Sequence, residues 1–356
     1  MQANPAMLKV AIQAVRLGSL IASKAQKDCF GKSISKSDAS PVTVADFAVQ
    51  AAISHVLLQS YPSIRLLAEE DDNTFQKLPE EARKEVCQRV VEFVPDLLAY
   101  GDKVESKISA LIGRGDYCKA NNPNEEERES VFVLDPIDGT KGFLRGEQYA
   151  ICLGFLEKDG KASIGVLGCP NLPEGFDENI SSSFRGFLFE ALLNEGARIR
   201  KLFLEKNEGD EVLRDLSLPK PTPERIIFTE SYESSHTIPG LYDLLFREFN
   251  IDSNKDVIRI DSQSKFALLA RGDAQVYPRL TPFDQCIWDV LPGYVLLVES
   301  GGLVTDIDGN SIDFLQGRTV KCNRIVSTCF GKDNLHQKVI ALIKNAEQDI
   351  KSKPLH

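Results

Sequence analysis

The chain has 356 residues, 42% of them hydrophobic and 26% charged, which fits a folded protein of about two domains and excludes a disordered one. Its net charge of −10 and pI near 5.1 argue against non-specific nucleic-acid binding, which needs a basic face. A small anionic ligand is still allowed, because a few placed lysines and arginines can reverse the local field.

Residues 6–27 read as an amphipathic helix with Leu8, Ile12, Val15 and Leu20 roughly on one face. Lys9, Gln13 and Arg16 interrupt this stretch, so it predicts no signal peptide. No apolar run approaches the ~20 residues that span a bilayer. "SPVTVADFAVQAAISHVLLQSYP" reads as a second helix, from near Thr43 to Pro62, and "SIRLLAEED" as a short strand ending in acid. Residues 71–130 are polar, with helical patches near 80–98 and 103–113 and the run "NPNEEERE"; they read as a variable insertion with a solvated loop.

From residue 131 the pattern turns to strands. "VFVLDPIDGTKGFLRG" begins as one, and Asp159-Gly160 and Glu195-Gly196 mark two hairpins. "LPKPTPER" (218–225) reads as a linker. Beyond it strands ("RIIFTES", "VIRI", "AQVYPRL", "GGLVTD", "RIVST") alternate with helices ("LYDLLFREF", "SQSKFALLA", "PGYVLLVES" and a last one), an α/β pattern. The expected domains are therefore 1–223 and 224–356. The eight cysteines form no CxxC pair, which argues against a zinc knuckle; they read as free thiols in a reducing, cytoplasmic compartment.

Acidic residues fall at the ends of several of these elements: Asp46, Glu69 and Glu70, Asp135 with Asp138, and Asp289 in "IWDV". Most have a plain structural reading. Asp46 lies three residues after Thr43, as in a capping box, and Asp289 could cap the following helix. Asp135 and Asp138 are harder to explain that way. Pro136 pushes Asp135 towards extended backbone, and Gly139 allows a tight turn. Thr140 can then start a short helix whose free N–H groups, with Lys141, suit a phosphate. Carboxylates facing an anion site make sense with a hard cation such as Mg²⁺ between them.

"DPIDGT", with a downstream "WD" followed by a helix and "GG", resembles the lithium-sensitive, magnesium-dependent phosphomonoesterases of the inositol monophosphatase and fructose-1,6-bisphosphatase superfamily. The longer strings "DPIDGTKGFLRGEQYAICLG", "SPVTVADFAVQ", "GVLGCPNLP" and "DSQSKF" are most similar to its 3′(2′),5′-bisphosphate nucleotidase branch. The resemblance implies an α/β (α+β) layered sandwich, with an antiparallel sheet in the N-terminal domain and a C-terminal α/β domain.

It also implies two or three Mg²⁺ ions held by Glu69 (in preference to Glu70), Asp135, the carbonyl of Ile137, Asp138 and Asp289. Asp46 and Thr140 would act on the attacking water. Gly139, Thr140, His236, Asp261, Ser262, Lys265 and Arg279 would bind the substrate. The reaction implied is hydrolysis of adenosine 3′,5′-bisphosphate to AMP and phosphate, with its phosphosulfate form as a further substrate, by a monomer with no nucleic-acid or membrane partner. The rival readings are an inositol polyphosphate 1-phosphatase and an inactive nucleotide-binding regulator. "DIDGNSID" reads as a tight turn at Asp308-Gly309, His55 as a structural residue, and there is no P-loop or dinucleotide-binding fingerprint.

Overall fold

The computed structural model describes residues 1–29, 41–117, 128–176, 184–206, 208–218, 225–232, 241–281, 283–322, 324–329 and 334–352. Helix α1 (Pro5–Cys29) starts where the Asn4 side chain accepts from the N–H groups of Ala6 (3.0 Å) and Met7 (3.1 Å), with proline at its first position. By length and composition it could cross a membrane, contrary to the sequence reading. However, 56% of its apolar window is buried in the protein, as in a core helix. Helix α2 (Pro41–Ser60) buries Val44, Ala45, Phe47, Ala48, Val49, Ala51, Ala52 and Ile53 almost completely. It is apolar on nearly every side because it lies among α1, the sheet and two further helices.

A seven-stranded sheet runs in chain order: β1 (Arg65–Ala68), β2 (Val131–Asp138), β3 (Ala150–Leu156), β4 (Ala162–Pro173), β5 (Arg185–Leu192), β6 (Gly196–Lys201) and β7 (Val212–Leu216). All its pairs are antiparallel except β1 with β2, which pair in parallel from Arg65↔Val131 to Ala68↔Leu134. A parallel pair needs a long crossover. Residues 71–130 supply it, carrying α3 (Asp72–Gln76), α4 (Glu80–Phe93) and α5 (Val104–Ile112). The segment that reads as an insertion therefore contributes Phe75, Val86, Val90, Leu97 and Ile108 to the core. Most of its acidic run lies outside the described residues.

Side chains alternate along β2. Phe132 and Leu134 face α1 and α2, while Val131 and Val133 face the opposite core. On that side lie α8 (Ser264–Arg271) and α9 (Leu291–Glu299). Gly165 is what lets α9 approach so closely, since a Cβ there would stand 2.2 Å from the Pro292 carbonyl oxygen.

Beyond these helices is a five-stranded sheet, ordered β11 (Leu303–Asp306), β12 (Arg324–Thr328), β10 (Val276–Leu280), β8 (Phe228–Glu230), β9 (Val257–Arg259). Its β8–β9 and β8–β10 pairs are parallel, and α7 (Leu241–Glu248) and α10 (Leu335–Ser352) complete the outer layer. The result is a mixed α/β layered sandwich, and the ends of β1, β2 and β10 meet between the two sheets.

Candidate active site

Asp135 and Asp138 are three residues apart, so in a regular strand they would face opposite ways. The β2–β3 register shifts between them: Asp135 pairs with Cys152 and Asp138 with Ala150, which leaves one extra residue on β2. This bulge contains Pro136, which has no N–H to give the ladder, and it turns both carboxylates to the same cleft. Leu67 and Val133 are register partners, so Glu69, two residues on, falls beside Asp135. The Glu69 N–H extends the ladder to the Leu134 carbonyl (3.3 Å). Like charges side by side are unfavourable in a sheet, so this pairing needs another explanation.

The turn after β2 depends on Gly139, which has φ +90°; a Cβ there would meet the Ser262 Cβ at 3.0 Å. Helix α6 (Thr140–Arg145) follows. Ser262 has φ +73° without being glycine. Its hydroxyl donates to the Ser264 hydroxyl (2.8 Å) and accepts from the Ser264 N–H (3.1 Å). That conformation aims the Gln263 N–H at the Asp138 carboxylate (2.5 Å). The Gln263 side chain also donates to the Trp288 carbonyl (2.7 Å) and accepts from the Gly293 N–H (3.0 Å). Asp289 ends a 3₁₀ turn, Ile287–Asp289, and makes no helix cap.

These residues line one cleft of about 300 Å³: Glu69, Asp135, Ile137, Asp138, Gly139, Thr140, Asp261, Ser262, Lys265, Arg279 and Asp289. Asp46 lies inside α2, five residues from its start at Pro41, which removes the capping-box reading. Its carboxyl is buried, close enough to Glu69 and Glu70 to feel their charge. His236 lies outside the described residues. The sequence reading missed Ser231 and Tyr277, which also line the cleft, and Gln263 behind it. The signal for Tyr277 was present, since it shares a strand face with Arg279.

The proposed nucleotide-side residues are already engaged. Lys265 is 3% exposed, so it is no solvent-facing helix residue; its ammonium donates to the Ile260 carbonyl (3.0 Å) and lies 5.4 Å from the Tyr277 ring centre. Burial lowers its pKa to about 8, against the pull of Asp138. Asp261 pairs with Arg145. Arg279 pairs with Asp289, at 2.8 Å to the carboxylate and 3.3 Å to the carbonyl.

The acidic wall carries a different signature. Burial first, then Glu70 and Asp289, push Glu69 up to about 8, although a hydrogen bond with Asp135 works the other way. Burial and Asp289 push Asp138 up to about 6, against Arg279 and Lys265. Asp46 and Asp135 are raised well above the usual range, chiefly by burial. One oxygen each of Asp46 and Asp135, Oδ1 in both, is buried and accepts no hydrogen bond. Unsatisfied buried carboxylate oxygens among like charges are costly. A hard divalent cation, which takes oxygen ligands, relieves both penalties. Among the described residues no three Asp, Glu, His or Cys side chains converge tightly enough to hold an ion as they stand. Mutual repulsion and the Arg279–Asp289 pair work against that convergence. The chemistry of the donor set, carboxylates and a carbonyl, nonetheless fits Mg²⁺.

A layered sandwich with an acid cluster at the bulged end of β2 defines a class, and the family profile described as "Inositol monophosphatase family" matches residues 4–348. The chain belongs to that family. It is similar to the 3′(2′),5′-bisphosphate nucleotidase of Schizosaccharomyces pombe, 33% identical over 350 residues with 93% of each chain covered. It is similar also to that of Oryza sativa, 36% identical over 330 residues with 88% of each covered. Among solved structures, CysQ from Bacteroides thetaiotaomicron, a bacterial member of the inositol monophosphatase family, matches with TM-score 0.59 at 17% identity, over 91% of this chain and 97% of that one. At that identity the likeness supports the fold alone.

Proposed function

We propose that this protein is a Mg²⁺-dependent 3′(2′),5′-bisphosphate nucleotidase, which hydrolyses the 3′ (or 2′) phosphate of adenosine 3′,5′-bisphosphate to give AMP and phosphate. Its phosphosulfate analogue is a second substrate, and Li⁺ is an inhibitor. The observation that carries this reading is the meeting of Glu69, Asp135, Asp138 and Asp289 with Lys265 and Arg279 in one cleft. The names of the nucleotidase relatives support the choice of substrate.

Glu69, Asp135, the Ile137 carbonyl, Asp138 and Asp289 would hold the metal. Bound there, Mg²⁺ supplies Lewis-acid activation of the phosphoryl group and of water. Asp46, with a carboxyl made more basic by burial and by Glu69 and Glu70, accepts the water proton, and the Thr140 hydroxyl orients the water. Gln263 fixes Asp138 through its backbone N–H. Lys265 and Arg279 neutralise the phosphate that is not cleaved, and Asp261 and Ser262 position the sugar side.

The test is phosphate release from adenosine 3′,5′-bisphosphate, its phosphosulfate analogue and inositol 1,4-bisphosphate, with and without Mg²⁺. The nucleotides should be preferred. Preference for the inositol substrate would move the chain to the polyphosphate 1-phosphatase reading. Absence of turnover would favour an inactive regulator, against which the intact carboxylate set stands.

A further inference from the structure

The metal-ligand candidates come from separate segments of the chain. Glu69 follows β1, and Asp289 ends the turn before α9, where it pairs with Arg279 of β10. The turn that carries Asp289 packs on β2 and β3, so its distance from the end of β1 is set by contacts other than the carboxylates.

Arg318 spans that gap. Its guanidinium donates to the Ala68 carbonyl (2.9 Å) and lies 3.5 Å from the Glu69 carbonyl, at the end of β1. The same group lies over the Trp288 ring, 4.5 Å from its centre, one residue before Asp289. The backbone beneath it is tied to the Asp289 segment as well. The Arg318 carbonyl accepts from the Ile287 N–H (2.9 Å), Thr319 bridges Cys286, and the Val320 N–H donates to the Gln285 carbonyl (3.0 Å).

A planar guanidinium suits this position, because its edge donates while its face stacks. It directs its donors to backbone carbonyls, so the Glu69 carboxylate stays available to a cation. Arg318 does not line the cleft.

We propose that Arg318 is a positioning residue that sets the spacing of Glu69 and Asp289, and so the affinity of the site for Mg²⁺. The proposal rests on the metal-dependent reading above. Residues that orient metal ligands from outside typically control affinity by about ten- to a hundredfold.

Trp288 is the only tryptophan in the chain, so its emission reports on this junction. The full chain would be titrated with Mg²⁺, following tryptophan fluorescence and, independently, melting temperature. Arg318→Met keeps the stem and removes the donors and charge. It should raise the Mg²⁺ midpoint about tenfold or more. At saturating Mg²⁺, KM for the nucleotide should stay within about twofold of wild type. Arg318→Lys, which keeps the charge but not the planar fork, should fall in between, and it carries the test alone if Arg318→Met does not fold. A lower melting temperature with an unmoved Mg²⁺ midpoint would make Arg318 a scaffold residue and overturn the proposal. A wild-type protein with neither a Mg²⁺ response nor phosphate release would overturn the functional reading, and this inference with it.

Discussion

At the residue scale, the acidic wall and the cationic wall make separable predictions. Asp138→Asn keeps the shape of a side chain that accepts from the Gln263 N–H but removes its charge. Turnover should fall below detection while the fold persists in circular dichroism. Without metal the variant should be more stable than wild type at pH 8, by about 1–2 kcal/mol, because an ionised carboxylate leaves a crowded site. Near wild-type activity in Mg²⁺ would remove Asp138 from the metal set. Lys265→Ala acts on the other wall. A charged hydrogen bond is worth about 1.5–3 kcal/mol, so KM for adenosine 3′,5′-bisphosphate should rise roughly ten- to a hundredfold. Steady-state kinetics with the inositol substrate, if it is turned over, should show a smaller change. Equal KM on the nucleotide would leave Lys265 as a core cation serving Ile260 and Tyr277.

At the element scale, the turn between β2 and α6 is the most constrained piece of backbone in the site. Gly139→Ala would put a side chain at φ +90° and press it on Ser262. A loss of about 1–3 kcal/mol is expected in denaturant melts, with a fall in kcat, because Ser262 orients the loop that holds Asp138. This turn was legible in the sequence, where proline and glycine bracket two aspartates. The bulge was not. That both carboxylates face one way depends on the register with β3, which no local pattern encodes. Asp46 was legible as an acid on a helix, yet its spacing from Thr43 imitated a cap; only the earlier helix start exposes the difference. β7 was missed because it is an edge strand, exposed at four of its five residues and without clear alternation. Arg318 gave no signal, since its partner Ala68 is 250 positions away.

For the whole molecule, the carboxylates couple metal to stability and pH. Glu69 at about 8 and Asp138 at about 6 lie above ordinary carboxyl values near 4. Between those limits the folded protein holds protons that the unfolded chain has released. The stability these groups contribute is therefore complete below about pH 4 and is lost as pH rises through about 6 to 8. Mg²⁺ held by the proposed ligands would compete with the same protons. The gain in melting temperature on adding Mg²⁺ should be larger at pH 8 than at pH 6, and a chelator should reverse it. An equal gain at both values would dissociate the metal from Glu69 and Asp138. The alternation of strands and helices and most of the element order were readable from periodicity. The role of residues 71–130 was not, because a crossover is recognised only once its two strands are seen to pair.

That crossover also bears on the order of assembly. Strands β3 to β6 pair with chain neighbours across short connections, so they can form early. The β1–β2 pair must wait for a loop of about sixty residues to close, a late and entropically costly step. Glu69 follows directly on β1, so the acid cluster is completed only after that loop has closed and the Asp289 turn has docked. A ligand that needs the whole cluster then has little to hold in the transition state. Mg²⁺ should slow the unfolding limb of a denaturant chevron and leave the refolding limb nearly unchanged. Bound metal would in that case prolong the lifetime of the folded protein without helping it to fold.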